Sequence, residues 1–192
     1  MYTTPDDMIA LEEALGPPVV CSMDYEIAPS EFDMVRSSMR DGRAHDVTMF
    51  IRRSDVGGEY ALIRKPFFPA GAFRAPSGAA KPGESLEGGA VRESREETGL
   101  DVRLTRYLVR INVRFTSEGR AIDWVSHVFE AEAAAGELDP IDTVEIAEAR
   151  WATIDELQGP IRQILLDTGW GLFRYRVELH DLSVRRLQEE VK

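Results

Sequence analysis

The chain has 192 residues with 34 Asp and Glu against 23 Lys and Arg, a formal charge of −11. That length suits one compact domain that buries roughly 70 % of its unfolded-chain surface, and 43 % hydrophobic residues support a core without staples. The charge disfavours extended nucleic acid and anionic lipid while leaving room for a local basic pocket. Cys21 is the single cysteine, which excludes an internal disulfide or a Cys-based zinc cage. The first residues carry no basic and apolar leader pattern, and no uncharged stretch reaches membrane-spanning length. A soluble cytoplasmic protein is expected.

In chain order, Asp6 to Leu15 has a helical pattern that Gly16-Pro17-Pro18 stops. Val19 to Ile27 is extended. Ser30, with Asp33 three residues on, resembles a capping box that opens a helix to about Met39. Asp46 to Ile51 and Tyr60 to Ile63 are β-branched and aromatic runs separated by Ser54-Asp55-Val56-Gly57-Gly58, a strand-turn-strand pattern. Lys65 to Gly83 is a Pro/Gly-rich connection. Ser85 to Thr98 reads as a helix with Gly99 as its left-handed stop. Asp101 to Phe115 and Ile122 to Ala131 form a hairpin around Ser117-Glu118-Gly119. Thr153 and Glu156 form a second capping box, predicting a helix to about Leu166, and Leu172 to Gln188 is a last helix.

The chemistry concentrates between Gly78 and Leu100. Glu93, Glu96 and Glu97 stand at i, i+3 and i+4, so their carboxylates share one helical face. Like charges at this spacing cost about 0.2–0.5 kcal/mol each, and anions in a last turn oppose the helix dipole by about 0.3–1 kcal/mol. Stability alone would not select this arrangement. Arg92 and Arg95 relieve part of the repulsion, and a hard divalent cation such as Mg²⁺ or Mn²⁺ would relieve the rest. A generic Glu/Arg-rich helix is more often a solvated surface. Here the spacing decides otherwise: Gly78, five residues, Glu84, seven residues, Arg92-Glu93, two residues, Glu96-Glu97, one residue, Gly99-Leu100. A chance match is on the order of 10⁻⁸ per starting point.

The string resembles the signature of the Nudix hydrolases, with Ser94 in place of the usual aliphatic residue. The resemblance implies an α/β fold, a mixed β-sheet sandwiched between α-helices. One domain would cover residues 1–192, with an N-terminal extension over 1–45, a core over 46–159 and a C-terminal helical extension over 160–192. It implies Glu93, Glu96 and Glu97 as metal ligands, joined by a backbone carbonyl of Ser77 or Gly78, and Glu84 as an accessory carboxylate. The catalytic set would be Glu93, Glu97, Glu145 and Arg92. Arg92 would orient the cluster through ion pairs, and Glu93, Glu97 and Glu145 are unranked candidates for the general base. Glu148 is the alternative to Glu145.

Positive charge near the motif points to Arg64 and Arg74 for substrate phosphates, each weighed against a solvated strand-edge charge. Phe67, Phe68 and Phe73 could stack a base, although such aromatics more often pack a core. His45, His127 and His180 are scattered without metal-ligand spacing and read as structural. Cys21 reads as a small buried hydrophobe, and Arg174, Arg176, Arg185 and Arg186 as a solvated helix face.

The implied activity is metal-dependent hydrolysis of the diphosphate in a nucleoside diphosphate linked to another moiety, with Mg²⁺ or Mn²⁺ as cofactor. The alternative is a non-catalytic Nudix-fold ligand sensor or interaction module. The expected partner is a small nucleotide derivative, with no extended nucleic acid and no membrane, and the terminal segments are long enough to pair subunits in a homodimer. The Ser-Gln-Pro-Trp string associated with NADH hydrolases is absent from the sequence.

Overall fold

A computed structural model describes residues 4–54, 57–133 and 136–189. Helix α1 (Pro5–Leu15) leads into strand β1 (Val19–Glu26) and helix α2 (Pro29–Ser38), followed by a short 3₁₀ turn. Strands β2 (His45–Arg53), β3 (Glu59–Arg64) and β4 (Ser77–Gly78) precede helix α3 (Leu86–Thr98). Strands β5 (Val102–Ser117), β6 (Arg120–Ala133) and β7 (Glu148–Thr153) come next. The chain ends on α4 (Ile154–Glu156), a π-helical turn (Leu157–Ile161), α5 (Arg162–Asp167) and α6 (Gly171–Gln188).

The strands form one mixed sheet in the order β1-β5-β6-β2-β3-β7, with β4 added to β2. The β1/β5 and β2/β6 pairs are parallel and the others antiparallel. Strand β2 is buried on both faces because helices cover both. Val47, Met49 and Ile51 pack with Leu11 of α1 and with Leu86 and Ala90 of α3. Phe50, on the opposite pleat, packs in the cluster that holds Phe32 of α2, Leu165 of α5, and Phe173 and Leu179 of α6. The expected sandwich of helices around a mixed sheet is therefore present.

Local chemistry explains most boundaries. Ser85 Oγ accepts from Gly88 N at 3.0 Å to open α3, and Gly99 closes it at φ 78°. The β5–β6 hairpin turns through Glu118 and Gly119 at φ 50° and 76°, both left-handed as a two-residue type I′ turn requires. Of the turn expected over 54–58, Asp55 and Val56 lie outside the described residues.

Several expectations are corrected. The box at Ser30 and Asp33 does not form; α2 starts at Pro29, and it is Glu31 Oε2 that accepts from Ala28 N at 3.0 Å. Asp33 instead pairs with Arg36 and Arg120. The second box holds at Thr153 and Glu156, but the helix it opens passes through a π-helical turn, because Pro160 has no N–H for the regular ladder. Strand β4 lies inside the stretch read as a Pro/Gly-rich connection. Cys21 is only partly buried, on edge strand β1.

Candidate active site

The carboxylate face of α3 lies against β4. Glu97 is buried, and its Oε2 accepts from Ser77 N at 2.7 Å. Glu93 Oε1 accepts from Ala79 N at 3.2 Å. The two side chains thus bracket Gly78, where a Cβ would overlap the Glu93 carboxylate, so glycine is required there for close approach. Gly89 permits a second close approach on the preceding turn of the helix: a Cβ on it would stand 2.6 Å from Ala80 Cα, so α3 rests directly on the backbone after β4. Ser94, the departure from the motif, is fully buried and satisfied, with its Oγ donating to Ala90 O at 2.8 Å.

Arg92 gathers the remaining acids. Its guanidinium donates to both oxygens of Glu84 at 3.1 and 3.0 Å, to Glu93 and Glu96 at 2.9 Å each, and to Ala79 O at 2.7 Å. Among the described residues, no three His, Cys, Asp or Glu side chains converge as a ready ligand set. The donor chemistry nevertheless fits a hard divalent cation: carboxylate oxygens of Glu93 and Glu97 sit against the β4 backbone on either side of Gly78, whose missing side chain is what lets Glu93 come so close. Glu97 is the buried member of the cluster. Burial pushes its carboxyl up to about 7, against the opposing pull of Arg74 and Lys65. Arg74 Nη2 is 3.8 Å from Glu97 Oε1, and burial brings the guanidinium down to about 10.

An open cleft of about 680 Å³ begins at this cluster. Arg74, Ser77, Gly78, Arg92, Glu93, Glu96, Glu97 and Glu145 all line it. Glu145 sits beside Lys65, which donates to it at 2.7 Å. Arg64 is not among the lining residues; it is paired in register with Glu148 across the β3–β7 ladder and donates to that carboxylate at 3.3 Å. Phe68 lines the cleft and packs edge-on against Phe173, whereas Phe73 is buried under Arg150.

The cleft also contains residues that sequence reasoning did not place at the site. Asp46 and Trp124 come from β2 and β6, Arg43 from the turn before β2, and Tyr175 and Arg176 from α6. Trp124 Nε1 donates to Asp46 Oδ1 at 2.9 Å, Ser126 Oγ donates to the same oxygen, and Tyr175 Oη donates to Ser126 Oγ at 2.6 Å. Arg176 is not on a solvated face: its side chain is 15 % exposed and donates to Thr48 Oγ1 at 2.9 Å. A signal existed in the sequence, since Arg176 lies one turn from both Phe173 and His180 on the buried stripe of α6. The three histidines are all buried, and His127 Nδ1 lies 2.5 Å from Tyr107 Oη.

Among the described residues, no helix is long and apolar enough to cross a membrane. Of known proteins, the NAD-capped RNA hydrolase NudC of Stutzerimonas stutzeri is 35 % identical over 125 residues, which is 65 % of this chain and 40 % of the relative. NudC of Photobacterium profundum is 27 % identical over 172 residues, 85 % of this chain and 61 % of the relative. The chain therefore spans between 40 % and 61 % of the length of these two curated relatives. The fold is shared with the MutT protein from Methanosarcina mazei Go1 (TM-score 0.52, 23 % identity, 78 % of this chain and 96 % of that one). It is shared as well with an ADP-ribose pyrophosphatase from Streptococcus suis 89-1591 (TM-score 0.50, 16 % identity, 77 % and 93 %). The NUDIX domain family model matches residues 42–168, a span that takes in everything from β2 to α5, and the chain belongs to the Nudix family.

Proposed function

We propose that this protein is a Mg²⁺- or Mn²⁺-dependent pyrophosphohydrolase that cleaves the phosphoric anhydride of a nucleoside diphosphate linked to another moiety. The observation that carries this reading is the bracket around Gly78, where Glu93 and Glu97 meet the β4 backbone at the head of a large cleft. Glu93, Glu96 and Glu97, with a carbonyl of Ser77 or Gly78, would hold the cation. When bound, it would polarise the phosphoryl oxygens and lower the pKa of the attacking water. Arg92 ties Glu84, Glu93 and Glu96 into one unit and so fixes the carboxylates before substrate arrives. Arg74 locks Glu97 in place and adds positive charge beside the substrate phosphates. One of Glu93, Glu97 and Glu145 would take the proton of the attacking water, and single Gln substitutions separate the three.

The named activity of the curated relatives makes dinucleotide diphosphates the first substrates to try. Phe68, Trp170 and Phe173 line the cleft, with Trp170 stacked on Phe173 and Phe68 edge-on to it, an aromatic set that suits a base. The charge of −11 opposes the body of a long RNA. We read the chain as one domain, since β1 of the N-terminal extension pairs with β5 and α6 packs on the core.

The test is a screen of nucleotide diphosphate derivatives with Mg²⁺ or Mn²⁺, with products identified by mass. Turnover of at least one compound is expected. Millimolar Mg²⁺ or Mn²⁺ should also raise the melting temperature where Na⁺ at equal ionic strength does not, since a ligand at a hundred times its Kd stabilises by about 2.7 kcal/mol. Binding without turnover across the whole panel would favour the sensor alternative. Nanomolar RNA binding at physiological salt would overturn the small-substrate reading.

A further inference from the structure

The end of the cleft away from α3 has a cation without a counter-ion. The Arg43 guanidinium lies 5.3 Å over the Trp124 ring, and its buried Nε has no hydrogen-bond partner. Among the described residues its side chain meets no carboxylate. Trp124 in turn donates to Asp46. Asp46 also lines the cleft, and it is already engaged by Trp124, Ser126 and Arg176, the last at 3.5 Å. Arg176 spends two donors, one on Thr48 and one on Asp46, and keeps three N–H groups without a protein acceptor among the described residues. Two arginines against one shared carboxylate leave net positive charge on this wall of an acidic protein.

The position is tied to the carboxylate cluster by the sheet. Thr48, which fixes Arg176, is the register partner of Ser77, whose N–H is bound to Glu97. Arg176 and Arg74 are close enough for each charge to weigh on the other's surroundings. Arg176 and Glu97 are thus held by side chain and backbone of register neighbours on adjacent strands of one cleft.

We propose that Arg43 and Arg176, backed by Trp124 and Asp46, form a second anion subsite that binds a phosphate on the ribose of the substrate, separate from the two phosphates joined by the scissile anhydride. The subsite rests on the hydrolase reading for its neighbour but not for its own chemistry. A guanidinium placed over an indole face is steadied by the cation–π contact, and its planar fork of N–H donors is the group by which arginine recognises phosphate oxygens. The phosphate could be a monoester at the 2′ or 3′ position or a 3′ diester to a following nucleotide. These sources share one chemistry, and different probes separate them.

The experiment is calorimetric titration of the full chain in Mg²⁺ with adenosine 5′-monophosphate, adenosine 2′,5′-bisphosphate, adenosine 3′,5′-bisphosphate and the dinucleotide pApG. At least one of the last three should bind about 10-fold more tightly than the monophosphate, as one charge-assisted contact predicts. Arg43→Gln should remove that gain and leave monophosphate affinity within about twofold, with Arg43→Lys restoring some of it. Arg176→Lys should reduce the gain in the same selective way. The proposal is overturned if the extra phosphate adds less than about twofold for every probe, or if Arg43→Gln weakens all probes equally. A wild-type chain that discriminates the probes yet hydrolyses no diphosphate would keep the subsite and sink the hydrolase reading.

Discussion

The two walls of the cleft are built in opposite ways. On the α3 wall, carboxylates outnumber cations and are held by short hydrogen bonds to neighbouring backbone, with Arg92 as the shared counter-ion. On the α6 wall, arginines outnumber the one carboxylate and are held by residues from two strands, β2 and β6. An excess of negative charge suits cations and an excess of positive charge suits phosphate, so the charge difference between the walls is what the proposed metal-bound diphosphate and the proposed second anion would each require.

The largest expected effect tests the α3 wall. Glu97→Gln preserves shape and the contact with Ser77 N but removes the charge. Hydrolysis should fall by about 10²-fold or more in kcat, the loss expected for one element of electrostatic stabilisation. The melting temperature of the metal-free chain should fall much less than activity does, because burial opposes the charge being removed even though Arg74 loses its anionic partner. Near-wild-type turnover would take Glu97 out of the chemistry and leave the two walls without a functional difference.

A second expectation uses a site outside the lining of both walls. His127 is buried, and burial, followed by the charge of His45, brings its imidazole down to about 4 from the ordinary 6.5. Above pH 6.5 it is neutral in folded and unfolded chains alike. As the pH falls below 6.5 the unfolded chain takes up a proton that the folded one refuses, so stability drops progressively down to about pH 4. The full loss is about 3 kcal/mol. Melting curves at pH 7.5, 5.5 and 4.5 should show a steeper decline for the wild type than for His127→Gln. Parallel curves would assign the acid sensitivity to carboxylates, and so to the walls.

The smallest effect probes how α3 is seated. Gly88 and Gly89 have the same helical propensity, yet a Cβ at Gly88 meets only Ser85 and Glu84 side-chain atoms at 3.2 and 3.3 Å, whereas one at Gly89 meets Ala80 backbone. Gly89→Ala should destabilise by about 1–3 kcal/mol through overpacking. Gly88→Ala should stay within about 0.5 kcal/mol of wild type, its propensity gain offset by the tight contact. Denaturant midpoints measured side by side decide it, and equal effects would mean that α3 does not rest on the β4 backbone.

The difference in construction also explains what the sequence disclosed. The α3 wall was legible because its carboxylates ride on one helix and their backbone partners lie at most 20 residues away, so spacing alone carries the geometry. Arg74 was legible for the same reason. The pairing of Arg64 with Glu148 could not be read, because nothing local announces that Glu148 lies beside it on β7. Strand β4 escaped notice because two residues carry no periodicity. The α6 wall was illegible as a wall: Asp46, Trp124 and Arg176 meet only through tertiary packing, and the charge pattern of α6 obscured the apolar stripe on which Arg176 lies.

Glu31 links these observations to the order of assembly. Its carboxylate accepts from Ala28 N at the start of α2 and from Gly171 N and Leu172 N at the start of α6, an anion at a helix N-terminus that joins residues 140 positions apart. Closing a loop of that length carries a larger entropic cost than the short loops that set Glu93 and Glu97 against β4. The carboxylate end can therefore organise from local contacts while the arginine end waits for the last helix to dock. If the two ends act as proposed, a folding chain gains its affinity for cations before its ability to discriminate among phosphates, and full selectivity marks the completion of the tertiary structure.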